Sequence, residues 1–479
     1  MNISDIAPRE VFGHFEAISR IPRGSGNEKA VSDFVANFAK SLGLKVVQDE
    51  IFNLIIYKAA TAGYENKPAV ILQAHLDMVC EKNAGTEFDF MTDALDLYID
   101  GDFVKARGTT LGADNGLGVA VCMALLEASD IAHPPLEVVL TVEEETGMTG
   151  VQKLDTSLLE GTRMLNLDHG KGHEIIMGCA AGTMVEFALP VQFEDISSDM
   201  KVFSLTINGL VGGHSGDDIE KERGNALRLM GHVLAALHQE IDIQLVSVTG
   251  GMKLNAIPRE AVAVFAVGVQ DVQKVEGVLG ACRENFAVQF RATDAGLCVM
   301  CEADSANYVL TAESTSRLIA VLTLIPNGVI STSMELPGLV NASCNLGVVT
   351  TGNDCVNIAL MPRGAARFYN EQTERQIAQL ANVTGATVTF TQRSPAWPYN
   401  PDSALLEVAR TCHGSIFGET KVNAIHAGLE CGLLLEKMPE LDIIAIGPTN
   451  IDLHTPDERL SISSTAKFWE FMKKLLAAL

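Results

Sequence analysis

At 479 residues the chain exceeds what one compact core usually organises, so two or more domains are expected. Its formal charge of −25 would repel a phosphate backbone and excludes nucleic acid as a partner, while 47% apolar residues are ample for buried cores. No apolar run approaches the roughly 18 residues that span a bilayer, and Met1–Arg9 leads into nothing resembling a signal segment. Ten scattered cysteines form no disulfide framework, so a reducing cytoplasm and no membrane are expected. The one C-x-x-C, Cys298 to Cys301, has no second pair and no helix start beside it, and is read as incidental.

In chain order, Val31, Phe34, Val35, Phe38, Ala39 and Leu42 recur with helical spacing, and Gly43 ends that helix. Ala69–Leu76, Leu136–Val142, Met164–Leu167 and Leu441–Ile446 are short continuous apolar runs, the pattern of strands buried on both faces of a mostly parallel sheet. Asn115–Ala128 predicts a helix after a Gly-rich turn. The pattern is α/β: a catalytic domain whose mostly parallel, mixed sheet is flanked by helices, formed by residues 1–184 and 395–479. Between them, residues 185–394 alternate strand-like runs (Val202–Ile207, Ala261–Val267, Val356–Leu360, Ala386–Phe390) with helices such as Asn225–Gln239. This predicts an inserted α+β lid domain, long enough for two similar halves, that returns at the Pro-rich Ser394–Pro398.

Each apolar strand of the outer segments runs into ionisable residues at its C-terminal end. The first reaches His75 and Asp77, the second Glu143, Glu144 and Glu145, the third Asp168, and the fourth leads on to His454. Ligands of open parallel sheets gather at those ends, and imidazoles with carboxylates collected there call for a compensating cation. The loop Gly108–Gly116 adds Asp114 just before a helix, placed to bridge two cations. Taken singly, each of these is more often a cap or a surface residue; five in matching contexts point to a metal site. Donors of this kind, without cysteine, suit zinc, cobalt or manganese better than calcium.

The segments QAHLDMV, ARGTTLGADNG, EEETG, GGHSG, NAIPRE, HAGLECG and IGPTNIDLHTPDE occur in that order from near one terminus to the other. They resemble the aminoacyl-histidine (Xaa-His, carnosinase-like) dipeptidases of the two-zinc aminoacylase/carboxypeptidase family of metallopeptidases. The resemblance implies that His75 and Asp168 hold one metal and Glu145 and His454 the other, with Asp114 bridging. It implies Asp77 as the carboxylate orienting His75, and Glu144, not Glu143, as general base to a water between the metals. His169 and His173 are read as loop histidines. In the insertion it implies His214 as oxyanion donor, Arg363 as the fork for a substrate carboxylate, and Asn255 or Asn345 as its helper. Glu430 is the candidate for the substrate's free amine.

The implied activity is hydrolysis of small unblocked dipeptides, Xaa-His among them, with two divalent ions as cofactors: zinc first, cobalt or manganese as alternatives. An N-acyl-amino-acid hydrolase of the same family and a catalytically silent metal- or peptide-binding protein are the competing readings. Smaller-lid relatives borrow the histidine from a partner subunit. The long insertion here can supply it within one chain, so a homodimer is admitted but not required.

Overall fold

The computed structural model describes residues 2–479 and divides them into two compact units. Among the described residues, one comprises 2–178, 399–424 and 429–479; the other comprises 179–398 and 425–428.

The first unit is built on an eight-stranded sheet. Its order is Lys45–Gln48, Leu54–Lys58, Leu136–Thr141, Val70–His75, Arg163–Asn166, Asp442–Ala445, Glu174–Cys179 and Lys421–Ile425. The four apolar runs of the sequence form its adjacent central strands, and their pairings are parallel. Antiparallel strands flank them. Every residue of Val70–His75 and Leu136–Thr141 is buried, which is why these strands read as unbroken apolar runs instead of alternating.

The predicted first helix is Lys29–Ser41, and Gly43 follows with φ 75°, the left-handed turn that glycine makes without steric cost. The helix after the Gly-rich loop, Ala113–Glu127, is buried on nearly all sides, so its apolar residues form no single stripe. Two helices not read from the sequence, Arg9–Ser19 and Ile462–Ala478, complete the same core with Phe12, Phe15, Phe468 and Phe471.

The second unit is one long antiparallel sheet containing two copies of a β-α-β-β-α-β topology, the first nested inside the second. The inner copy runs Met200–Asn208, helix Ala226–Glu240, Ile243–Gly250, Ala261–Gly268, helix Val272–Gln289 and Cys298–Asp304. The outer copy begins at Ala181–Pro190 and resumes with helix Ala312–Leu324, Val340–Thr351, Cys355–Gly364, helix Arg367–Thr384 and Thr387–Ser394. Both place their strands in the spatial order fourth, first, third, second. They join where Ile243–Gly250 meets Val340–Thr351 through the pairs Thr249 with Thr350 and Gly250 with Val349.

The predicted helix Asn225–Gln239 begins one residue later, because Asn225 caps it by accepting the N–H groups of Leu227 and Arg228. Cys298 and Cys301 lie on one edge strand three positions apart, so they point to opposite faces and do not form a pair.

Candidate metal centre

In the first unit the carboxyl ends of the central strands meet three loops. His75 is the last residue of its strand and is 1% exposed. Asp114 stands at the start of helix Ala113–Glu127, after a cluster of left-handed glycines, and its peptide bond to Asn115 is cis. His454 sits on the loop of a short hairpin, Asn450–Ile451 paired with Arg459–Ser461. Its φ of 63° is a left-handed conformation that costs a non-glycine residue about 1–2 kcal/mol and that must be held by the surrounding structure.

The Asp114 carboxylate lies between the two imidazoles. Oδ1 is 3.1 Å from His75 Nε2 and Oδ2 is 3.1 Å from His454 Nε2. Asp168 Oδ1 lies 3.7 Å from His75 Nε2, and Glu145 Oε1 lies 3.1 Å from His454 Nε2. Three sets of three donors result, His75–Asp114–Asp168, His75–Glu144–Glu145 and Asp114–Glu145–His454, each with its ligand atoms within 4.8 Å of one another; the first and last share Asp114.

Asp77 is fully buried beneath them. Its Oδ1 is 3.3 Å from His75 Nδ1 and accepts the Glu144 N–H, while Oδ2 accepts the Glu145 N–H and the Ser25 hydroxyl. Glu144 Oε2 reaches to 4.0 Å from His75 Nε2. Glu143, at φ 51°, turns its N–H to Glu28 instead. Glu430 opens helix Glu430–Lys437 and is buried; one oxygen accepts from Gln73 and Thr141, and the other has no hydrogen bond among the described residues. His169 and His173 approach Glu174 instead of the cluster.

Electrostatics supports a cation site. The hydrogen bond to Asp114 and the adjacent Glu145 carboxylate push His454 up to about 11, and His75, although buried, is held well above its ordinary value by Asp114, Asp168 and Asp77. Burial and neighbouring carboxylates raise Glu144 well above the usual range, Asp168 to about 6 and Glu430 to about 7. A proton on each imidazole thus takes the place that a metal would take. The buried Glu145 Oε1, although close to His454, makes no hydrogen bond of acceptable geometry, which suits an oxygen whose partner is an ion. The donors fit two divalent cations.

The second unit carries the remaining expected residues. His214 lies on the short strand Gly213–His214, paired with Ala256. Its Nδ1 accepts the N–H groups of Gly216 and Asp217, which leaves the ring proton on Nε2 as a donor. Arg363 is 5% exposed; its only hydrogen bond among the described residues is to Met361 Sδ, no carboxylate bonds to it, and burial lowers it to about 10 against the opposing pull of the Asp217 charge. A buried charge without a bonded carboxylate is costly, and an incoming carboxylate would relieve it.

Asn345 is not available for a substrate. Its buried amide donates to Leu254 O and Ala256 O and accepts from Asn225, so it holds the turn on which the exposed Asn255 sits. His426 received no role from the sequence. Its Nε2 lies 2.7 Å from Ser343 Oγ, the residue paired with Arg363 across the strands, and burial together with Arg363 lowers it to about 3.

The fold and donor set define a metal-dependent peptidase. The chain belongs to peptidase family M20/M25/M40, whose model matches residues 71–478. It is 37% identical over 476 residues to the cytosol non-specific dipeptidase of Escherichia coli, covering 99% of this chain and 98% of that protein. An aminoacylhistidine dipeptidase from Vibrio alginolyticus matches with a TM-score of 0.93 at 37% identity, over 100% of this chain and 98% of that one. Aminopeptidase PepT from Bacillus cereus, at 15% identity and a TM-score of 0.58 over 99% of each chain, shares the fold alone. No helix among the described residues is long and apolar enough to cross a membrane.

Proposed function

We infer that this chain hydrolyses small unblocked dipeptides, with Xaa-His dipeptides among its substrates, at a centre for two divalent cations. The observation that carries this reading is the Asp114 carboxylate offering one oxygen toward each of two imidazoles, with Asp168 and Glu145 completing two donor sets. His75 and Asp168 would hold one ion, His454 and Glu145 the other, and Asp114 both. When bound, two such ions, zinc first and cobalt or manganese as alternatives, supply Lewis acidity and acidify water toward neutral pH.

The chain's own residues do the rest. Asp77 fixes the His75 ring and, through two backbone N–H groups, the segment that carries Glu144 and Glu145. Glu144 takes the proton of the attacking water and passes it to the leaving amine. His214, with its proton on Nε2, donates to the developing oxyanion, and Arg363 receives the substrate's carboxylate as a bidentate fork, assisted by Asn255. Glu430 keeps one unpartnered oxygen as the candidate for the free amine.

The relatives' names, non-specific dipeptidase and aminoacylhistidine dipeptidase, agree on dipeptides and differ on histidine. A cytoplasmic location follows the first of them.

Metal analysis of the purified protein, with a panel of Xaa-His, Xaa-Leu and N-acetylated dipeptides, tests the reading. About two metals per chain and hydrolysis of free dipeptides over their acetylated forms are expected. Preference for the acetylated forms would transfer the chain to the N-acyl-amino-acid hydrolases, and metal binding without hydrolysis would leave a silent binding protein.

A further inference from the structure

Glu458 and Arg23 have no part in the roles above, yet both are charged and only 2% exposed. Glu458 follows His454 by four residues. Its Oε2 accepts the N–H groups of Leu111 and Gly112, each at 2.8 Å, and its Oε1 those of Ala113 at 3.0 Å and Asp114 at 3.2 Å. Asn450 Nδ2 adds a fifth hydrogen bond at 3.0 Å. A capping side chain ordinarily satisfies one or two N–H groups of a helix start, so four consecutive ones on a single carboxylate exceed what helix capping requires.

Arg23 grips the opposite edge of the same loop. Its Nη1 donates to the carbonyls of Leu76 at 3.0 Å and Asp77 at 3.1 Å, and its Nη2 donates to the carbonyl of Gly112. The Gly112 residue is therefore held at both its N–H and its C=O. Glycine is required there: φ is 65°, and a Cβ would fall 2.6 Å from Arg23 Nη2 and from Met78 Sδ.

Three ligand-bearing segments are thus cross-tied from behind: the residues after His75, those before Asp114 and the loop of His454. Neither buried charge makes a side-chain hydrogen bond to a ligand side chain among the described residues. Carboxylates crowded at this site repel one another until cations arrive, so the backbone needs an independent hold if the donors are to keep their separation in the metal-free chain.

We propose that Glu458, seconded by Arg23, is a positioning residue that sets the Asp114 carboxylate between His75 and His454 before any metal binds. This rests on the metal-dependent reading above and adds a residue to it.

The test uses the full chain carrying Glu458→Gln, which keeps the shape but replaces one acceptor oxygen with an NH2 group facing N–H donors. Metal-free protein is titrated with zinc against a chromogenic chelator, and hydrogen exchange is followed at the amides of residues 111–114. Zinc affinity is expected to fall roughly 10–100-fold, with faster exchange at those amides and a lowered kcat while KM stays within about twofold.

Glu137→Gln is the control, since the buried Glu137 likewise accepts backbone N–H groups, those of Glu160 and Gly161, near the N-terminal end of its strand. It is expected to cost stability and leave zinc affinity unchanged. If the Glu458→Gln chain does not fold, Glu458→Asp, which keeps the charge one methylene short, is measured in its place. Wild-type zinc affinity in the folded Glu458 variant, or an equal loss in the control, overturns the proposal. A wild-type chain that binds no zinc, cobalt or manganese instead overturns the reading beneath it.

Discussion

The Asp77 carboxylate lies 3.3 Å from Nδ1 of His75, beside the Asp77 carbonyl at 3.2 Å, and the two together turn the opposite ring nitrogen toward Asp114. The same carboxylate accepts the N–H groups of Glu144 and Glu145, so one buried side chain ties together the proposed donor His75, the proposed base and the proposed donor Glu145. Asp77→Ala is expected to lower metal affinity about 10–100-fold, as loss of a carboxylate behind a ligating histidine generally does. Competition with a chelator checks it, and unchanged affinity would show that the ring is held by other means.

Glu144→Gln keeps the size of the side chain and removes the base. Metal content should remain near that of the wild type, while kcat falls by roughly 10²–10⁴-fold, the range for a lost general base. Metal analysis beside steady-state kinetics separates this from a lost ligand, because Glu145→Gln is expected to lose metal as well.

Removing the imidazole of His214 should act on turnover. His214→Ala is expected to lower kcat by about 10²–10³-fold, the cost of one oxyanion donor, with a smaller effect on KM. An unchanged kcat would leave this histidine as a feature of its turn only.

Arg363 combines burial with the absence of a bonded carboxylate, and that gives two opposite expectations for Arg363→Met. KM for free dipeptides should rise, and rise far less for C-terminally amidated analogues. Stability should increase by on the order of 1 kcal/mol, because a buried charge with no bonded carboxylate, opposed through space by Asp217, has been removed. A loss of stability in thermal melts would mean that the charge is compensated inside the protein.

A pH dependence away from the metal donors comes from Glu174, which the neighbouring His169 ring, the Lys171 charge and the hydrogen-bonded Lys421 lower to about 2. Its folded value lies below its ordinary 4.5, so its contribution is fully present above about 4.5 and is lost as pH falls toward 2. Glu174→Gln should therefore be less stable than wild type at pH 7, by on the order of 1–3 kcal/mol, with the gap closing as the pH is lowered through that window. Urea midpoints of the two proteins at a series of pH values read the difference directly.

The candidate metal donors were legible as a cluster because each one ends or closely follows a local pattern. His75 closes a fully buried strand, Glu144 and Glu145 follow another, and Asp168 follows a third. Asn345 was not legible: its partners, Leu254 O and Ala256 O, are backbone atoms about 90 residues upstream. Glu458 escaped for the same reason, since its acceptor role appears only when the loop at Leu111–Asp114 folds against it. The helices Arg9–Ser19 and Ile462–Ala478 went unread although both bury apolar residues along one face.

By itself the sequence determined the central strands, the ionisable residues at their ends and the interruption of one domain by another, because apolar runs and chemical groups are properties of neighbouring residues. Only the tertiary structure decided which oxygen faces which imidazole, that Arg363 lacks a bonded carboxylate and that Glu458 gathers four amides, because hydrogen bonding between distant segments depends on where the folded backbone places them.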